Sequence, residues 1–180
     1  DLLDKSSPVQ VGLLTDWKSV QCGSHFAVAL KTDGTLWAWG YNSAGYLGQG
    51  DRVDRSSPVQ IGSLNDWKYT YSGSGSTFAV KTDGTLWTWG NNDFGNLGDG
   101  SIVYKSSPVQ VGSLTNWKNI SCYNQTVAIK TDGTLWIWGR NNATQLGLGD
   151  NVPRSSPVQV GSLTNWKSAS CGTQHTIAIK

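Results

Sequence analysis

One feature governs what this chain can fold into: it repeats. Ser-Ser-Pro-Val-Gln begins at Ser6, Ser56, Ser106 and Ser155, and Thr-Asp-Gly-Thr-Leu-Trp begins at Thr32, Thr82 and Thr131. The spacing is therefore 50, 50 and 49 residues, with the single missing residue between Cys122 and Lys130. A unit of this size cannot cover its own apolar faces and must stack on its neighbours. The 180 residues divide into repeats at 1-50, 51-100 and 101-149, with a partial fourth at 150-180.

Each unit carries four strand signals. Pro8-Val9-Gln10-Val11 is short and begins with Pro, which suits an edge strand. Trp17 to Cys22 alternates. Phe26 to Lys31 places Phe26, Val28 and Leu30 on one face and Ala27 and Ala29 on the other. Asp33-Gly34 predicts a two-residue type I′ hairpin, after which Thr35, Trp37 and Trp39 point one way and Leu36 and Ala38 the other. Both faces are apolar, so each small sheet needs a similar sheet on either side. The expected fold class is all-β: β-propeller blades, each a four-stranded antiparallel sheet, in about 3.5 repeats of ~50 residues. Composition agrees, with 22 Gly and 10 Trp but no Met and, by inspection, no Glu. Each complete repeat holds three Trp. Burying one covers ~200 Å², an upper bound of about 5 kcal/mol before entropy, so the Trp residues are expected between blades.

Other signals mainly exclude. Fourteen basic and 12 acidic residues alternate with no Lys/Arg cluster, which argues against a nucleic-acid face. The longest apolar stretch, Phe26 to Leu30, is far too short for a helical membrane span, and no signal sequence occurs in these residues. The three Cys form no disulfide framework. Cys22, Cys122 and Cys171 each lie five residues after a Trp, where the second repeat has Ser72, so they read as small buried strand residues. No metal-ligand spacing, phosphate loop or nucleophile motif appears, and no cofactor is expected. Asn119, Asn124 and Asn142 head Asn-x-Ser/Thr triplets, a chance-prone pattern. Of the two imidazoles, His25 and His175 occupy non-equivalent places, and His175 is expected to make a structural hydrogen bond to backbone between blades.

The Trp-x-Trp-Gly, Asn and Gly-x-Leu-Gly pattern resembles the regulator of chromosome condensation repeat. It stands as Trp37, Trp39, Gly40 and Asn42 with Gly45, Leu47 and Gly48, and again as Trp87, Trp89, Gly90 and Asn92 with Gly95, Leu97 and Gly98. The third copy, Trp136, Trp138, Gly139 and Asn141 with Leu146 and Gly147, has Thr144 for the first loop Gly. The family's Gly-x-x-His-Thr stretch is complete once, at Gly172 to Thr176. The resemblance covers essentially the whole chain and implies a ring that usually closes with seven blades. By that count the chain is about half a ring. Two copies would supply eight Trp-Lys units but six hairpins, so a segment of a longer propeller is expected. The absence of Met at Asp1 fits that expectation.

Residues that break the repeat are where a specific function would lie. The loop after Trp-Gly carries Tyr41, Ser43, Ala44 and Tyr46 in one copy, Asn91, Asp93, Phe94 and Asn96 in the next, and Arg140, Asn142, Ala143 and Gln145 in the third. The segment before Ser-Ser-Pro carries Arg52, Ile102, Tyr104, Asn151 and Arg154, and the strand after Trp-Lys carries Tyr69 and Tyr71. Tyr and Arg are enriched in interface hot spots, so Tyr41, Tyr46, Tyr69, Tyr71, Phe94, Tyr104, Arg140 and Arg154 are the candidate binding residues. The expected function is a non-enzymatic scaffold whose partner is a protein or another copy of the chain. No nucleic acid or membrane insertion is expected, and nothing supports a glycan. One alternative is a structural or decoration protein of a virion or bacterial exterior. Another, implied by the resemblance, is guanine-nucleotide exchange on a small GTPase, although no exchange residue can be carried over. A UV-B photoreceptor precedent fails because its Gly-Trp-Arg-His-Thr signature is missing. No compartment is indicated.

Overall fold

The computed structural model describes residues 15–180 together with Ser7, Gln10 and Leu13. Of the expected edge strand Pro8–Val11, only Gln10 lies within the described residues. These residues form three four-stranded antiparallel sheets and a hairpin, with no helix among them. The first sheet comprises β1 (Trp17–Cys22), β2 (Phe26–Lys31), β3 (Leu36–Gly40) and β4 (Arg55–Gln60). The second comprises β5 (Trp67–Ser72), β6 (Ser76–Lys81), β7 (Leu86–Gly90) and β8 (Lys105–Gln110). The third comprises β9 (Trp117–Cys122), β10 (Gln125–Lys130), β11 (Leu135–Gly139) and β12 (Arg154–Gln159). The hairpin is β13 (Ser168–Cys171) with β14 (Thr176–Ile179).

Strands β1, β5, β9 and β13 neighbour one another in that order, as the inner strands of propeller blades do. The outer strand of each full sheet is the Ser-Ser-Pro strand, taken from the start of the following sequence unit. Thus β4 pairs with β3 through Trp37↔Gln60 and Ala38↔Val59. Each blade therefore ends one strand into the next repeat, and Pro58 sits at a sheet edge where its missing N–H is harmless.

Asp33-Gly34 does reverse the chain, but not as a type I′ turn. Gly34 has φ +83°, whereas Asp33 is not left-handed. The Gly34 amide donates to the Lys31 carbonyl (3.1 Å) and the Lys31 amide to the Thr35 carbonyl (3.0 Å). This is a three-residue loop, a type I turn closed by a left-handed glycine bulge. Asp33 has another role: its Oδ1 accepts from the Thr35 hydroxyl (2.7 Å) and amide (2.9 Å), and Thr35 Oγ1 accepts from Trp37 Nε1 (2.9 Å). Asp83–Thr85–Trp87 and Asp132–Thr134–Trp136 repeat the relay. The Thr hydroxyl, then the Thr amide, hold all three carboxyls below the usual range. The sequence Asp-Gly-Thr-Leu-Trp is thus a turn with a built-in indole anchor.

Within each sheet large residues sit beside small ones: the register sets Trp37 beside Ala29, Trp39 beside Ala27, Trp89 beside Thr77 and Trp138 beside Thr126. Phe26, Val28, Leu30, Leu36 and Ala38 of the first blade pack against Trp67, Ala79 and Trp89 of the second. Phe78, Val80 and Leu86 of the second pack against Trp117, Ala128 and Trp138 of the third. The loop of one blade is also clamped by the next. Tyr46 O accepts from Trp89 Nε1 (2.9 Å) and Thr77 Oγ1 (3.1 Å), and Asn96 O accepts from Trp138 Nε1 and Thr126 Oγ1 (both 2.9 Å). Gly48 (φ +68°) and Gly98 (φ +76°) lie against those indoles, where a Cβ would come within 2.8 and 2.6 Å of Nε1. The Leu-Gly that closes each loop is therefore a seam requirement as well as a turn.

Smaller expectations divide. Asp16 and Asp66 pair with Lys31 and Lys81, each at 3.2 Å, and Lys130, whose repeat has Asn116 instead, reaches Asp132 at 3.5 Å. Cys122 and Cys171 pack into the seams, where burial raises their thiol pKa values, that of Cys171 to about 11. Cys22 is exposed, contrary to expectation, because among the described residues no sheet covers that side of β1. His175 is also exposed. Its ring lies on Gly172 and makes no described hydrogen bond, while its backbone carbonyl accepts from Gln125 Nε2 (3.1 Å).

Two apolar faces are uncovered among the described residues. Trp17, Val20, Ala29 and Trp39 line a cavity of about 410 Å³ on the first blade, and Ile177 and Ile179 are 60% and 59% exposed at the other end. The two surfaces are the same kinds that meet at each internal seam. A polypeptide of residues 1–180 is therefore expected to self-associate as concentration rises, and Trp39→Ser should weaken that association. Sedimentation of a clean monomer over a wide concentration range would contradict this.

Candidate functional site

The loops after β3, β7 and β11 carry most of the sequence-selected residues, and one asparagine organises each loop. Asn42 is buried. Its Nδ2 donates to Val53 O (3.1 Å), Asp51 O and Asp51 Oδ1 (both 3.2 Å), and its Oδ1 accepts from Leu47 N (2.9 Å). Asn141 repeats this with Asp150, Val152 and Leu146. Arg55 and Arg154 brace the same loops through Asp51 and Asp150, each at 2.6 Å.

The second loop reaches the same end differently. Ser101 replaces the loop aspartate, Asp99 supplies the carboxylate to Asn92, and Lys105 pairs with Asp99 at 3.1 Å. Burial opposes ionisation of Asp99, but the Ser101 hydroxyl and amide and Lys105 outweigh it, so its pKa is lowered.

On this frame the variable side chains form a continuous strip. The exposed Tyr41 ring packs edge-on against His25 and tilted against Tyr46, each at 6.2 Å, and Tyr46 stacks on Phe26 at 5.3 Å. Gly75 lies against both the Tyr46 ring and Asn91. Asn91 Nδ2 donates to Tyr104 Oη (3.0 Å) and Asp93 Oδ2 (2.8 Å), while the Tyr104 hydroxyl donates a short bond to Asp93 Oδ1. That bond raises the Tyr104 pKa. Arg52 lies over the Tyr104 ring at 5.9 Å, and Arg140 lies over Phe94 at 4.8 Å with Nε donating to Asn142 Oδ1 (2.7 Å).

Tyr41, Tyr46, Phe94, Tyr104 and Arg140 are thus brought onto one loop-bearing surface, and the other three are not. Tyr69 is exposed on the inner strand β5 with Lys68 over its ring. Tyr71 crosses a seam to donate to Lys118 O (2.6 Å), and burial, then Tyr69, raises its pKa to about 12. Arg154 braces its loop. Sequence reasoning named Asn42, Asn92, Asn141, His25 and Arg52 without giving them these places. The available signal was an Asn followed five residues later by Leu, with a carboxylate seven or nine residues on.

The strip can stack, donate and accept. Among the described residues no three His, Cys, Asp or Glu side chains gather as metal ligands. The main-chain carbonyl of His25 accepts from Tyr41 N (2.9 Å), and that of His175 from Gly172 N (2.9 Å).

The comparisons agree with the geometry. The chain resembles Prp20p of Saccharomyces cerevisiae, in a structure described with its binding properties to Gsp1p and histones. Identity is 24% and the TM-score 0.82, with 96% of this chain and 45% of that one covered. The yeast protein bound to Kap60 gives 23% identity and a TM-score of 0.83 over 96% of this chain and 44% of that one. Human WBSCR16 gives 20% identity and a TM-score of 0.76, covering 91% of this chain and 45% of that one. The chain spans under half the length of these proteins, and at such identities the likeness shows the fold. Residues 33–80, 83–129 and 132–179 each match the regulator of chromosome condensation (RCC1) repeat, and 17–45 match a second form of it. With the repeat matched over most of its length and its blades built as described, the chain belongs to the regulator of chromosome condensation repeat family.

Proposed function

We propose that the protein is a propeller scaffold that binds a partner protein through its loop-bearing surface, centred on Tyr41, Tyr46, Phe94, Tyr104 and Arg140. The observation that carries this is the strip itself: non-repeating side chains from three loops, tied within each loop by ring contacts or hydrogen bonds and joined across two seams by Arg52 over Tyr104 and Arg140 over Phe94. Repeated residues are explained by the fold; these are not. Tyr and Arg held on a rigid frame supply contact area at little ordering cost. The yeast protein of the same fold, described with its binding properties to Gsp1p and histones and in a complex with Kap60, lends the reading further support. Tyr69, exposed on the inner strand, is a separate candidate contact. Tyr71 and Arg154 are engaged in structural hydrogen bonds and contribute by holding the surface in shape. No particular residue favours surface decoration or nucleotide exchange.

Panning a random-peptide display library on the protein tests the reading. Selected peptides should lose about tenfold in affinity on Tyr41→Ala or Tyr104→Ala, with little change on Ile177→Ala at the opposite end of the chain. Failure to select any peptide, or affinities indifferent to both Tyr substitutions, would reject it.

A further inference from the structure

The four arginines fall into two classes. Arg55 and Arg154 have their guanidinium groups committed to Asp51 and Asp150 inside their own loops. Arg52 and Arg140 make no ion pair among the described residues. Each instead lies over an aromatic ring from the second loop, Arg52 on Tyr104 and Arg140 on Phe94. Arg52 makes no described hydrogen bond, and Arg140 uses only its Nε. Both terminal forks thus make no described hydrogen bond, while each guanidinium lies within cation–π range of its ring.

The carboxylates on this surface are in the opposite condition. Asp51 accepts from Asn42, Val53 N and Arg55, and Asp54 from Asn42 N. Asp93 accepts from Asn91 and Tyr104, and Asp99 from Asn92, Ser101 and Lys105. Asp150 accepts from Asn141, Val152 N and Arg154. The acceptors are satisfied internally, whereas the terminal donors of the exposed Arg52 and the half-buried Arg140 have no described partner. The two forks also belong to one assembly: Tyr104 under Arg52 bonds to Asp93, whose chain neighbour Phe94 lies under Arg140.

We propose that this surface recognises an acidic peptide segment, with Arg52 and Arg140 each gripping a carboxylate of Asp or Glu side chains and the Tyr41–Tyr46 rings packing against the residues beyond. This rests on the interaction-surface reading above and adds the chemistry of the partner. A planar fork fits a carboxylate with two parallel hydrogen bonds, and the ring beneath each guanidinium lowers the ordering cost of forming them.

Fluorescein-labelled decaglutamate, followed by anisotropy, is the probe, with decalysine and a neutral Gly-Ser decapeptide as controls. Arg52→Ala and Arg140→Ala should each weaken decaglutamate binding about tenfold, and Arg52→Lys should recover only part of the loss, because an ammonium offers no fork. Lys18→Ala on β1 removes the same charge away from the strip and should weaken binding less than about twofold. Both arginines carry no fold-closing bond, and unchanged thermal unfolding of their variants shows that folding is intact. Equal losses for Lys18→Ala and the arginine variants would reduce the effect to net charge and overturn the proposal. Tighter binding of a phosphoserine peptide through the same arginines would replace carboxylate by phosphate and overturn it equally. If decaglutamate fails to bind while library-selected peptides still depend on Tyr41, the acidic partner is wrong and the interaction surface stands. If neither binds, both readings fall.

Discussion

Replacing Trp138 by Ala is expected to cost about 4 kcal/mol of stability, while the same change at the equivalent Trp39 costs roughly 1 kcal/mol. The two indoles occupy the same strand position in different repeats. Trp138 is fully buried between the second and third blades, packs against Trp117 at 5.8 Å and Phe78 at 6.4 Å, and donates to Asn96 O. Trp39 lies on the uncovered face of the first blade beside Trp17, and no described carbonyl accepts its Nε1. Truncating Trp138 therefore removes the packed ring, opens a cavity and takes away one of the two donors to a seam carbonyl, whereas truncating Trp39 removes a ring already in partial contact with water. Thermal unfolding at low protein concentration should show Trp138→Ala lowered by about 10 °C and Trp39→Ala by a few degrees at most. Equal shifts would mean that the indole acts within its own sheet rather than at the seam. The paired position matters too: Thr126 shares the Asn96 carbonyl with Trp138, so Thr126→Val should couple with Trp138→Ala rather than add to it.

The same pair of residues shows what the sequence could and could not disclose. Alternation placed Trp138 opposite Leu135 and Ile137, and the need to cover both faces led to stacked four-stranded sheets. The inner strand and hairpin positions follow from local pattern and were legible. The turn type was not. Asp-Gly serves both a type I′ turn and a type I turn with a glycine bulge, and the Thr35 bond to Asp33 decides between them only in three dimensions. The loops were less legible still. Their variability was plain, but which side chains face a partner depends on which are consumed in holding the loop. Arg154 and Arg52 look alike in sequence. One finds Asp150 four residues upstream, and the other finds a Tyr ring from the next blade. Cys22 departs from the buried expectation because its repeat equivalents gain their cover from a neighbouring blade, which a local pattern does not reveal.

Asn92→Ala should lower stability by about 3 kcal/mol although it deletes only a small side chain. The Asn92 amide is fully buried and ties the loop at four points: Ser101 O at 2.9 Å, Leu97 N at 3.0 Å, Asp99 Oδ1 at 3.2 Å and Val103 O at 3.3 Å. Alanine removes all of these ties at once and leaves the buried Leu97 amide without its acceptor. Asn92→Asp should be worse at neutral pH, because it keeps the acceptor for Leu97 but turns a carboxylate toward Asp99 and two carbonyls. Repulsion raises the pKa of the introduced carboxyl above its unfolded value, so the extra penalty is largest above that raised pKa and shrinks as pH falls and the group takes up a proton. The gap between the Asp and Ala variants should therefore close in acid. A gap that widened in acid would place the carboxyl elsewhere. Limited proteolysis should show new cleavage within residues 91–104 before global unfolding, since this loop loses its tie while the sheets keep theirs. Phe94 and Tyr104, which seat Arg140 and Arg52, belong to that loop, so peptide binding should fall in Asn92→Ala even though no contact residue is changed. Retained binding together with a protected loop would show that the strands, not the asparagine, hold the surface in place.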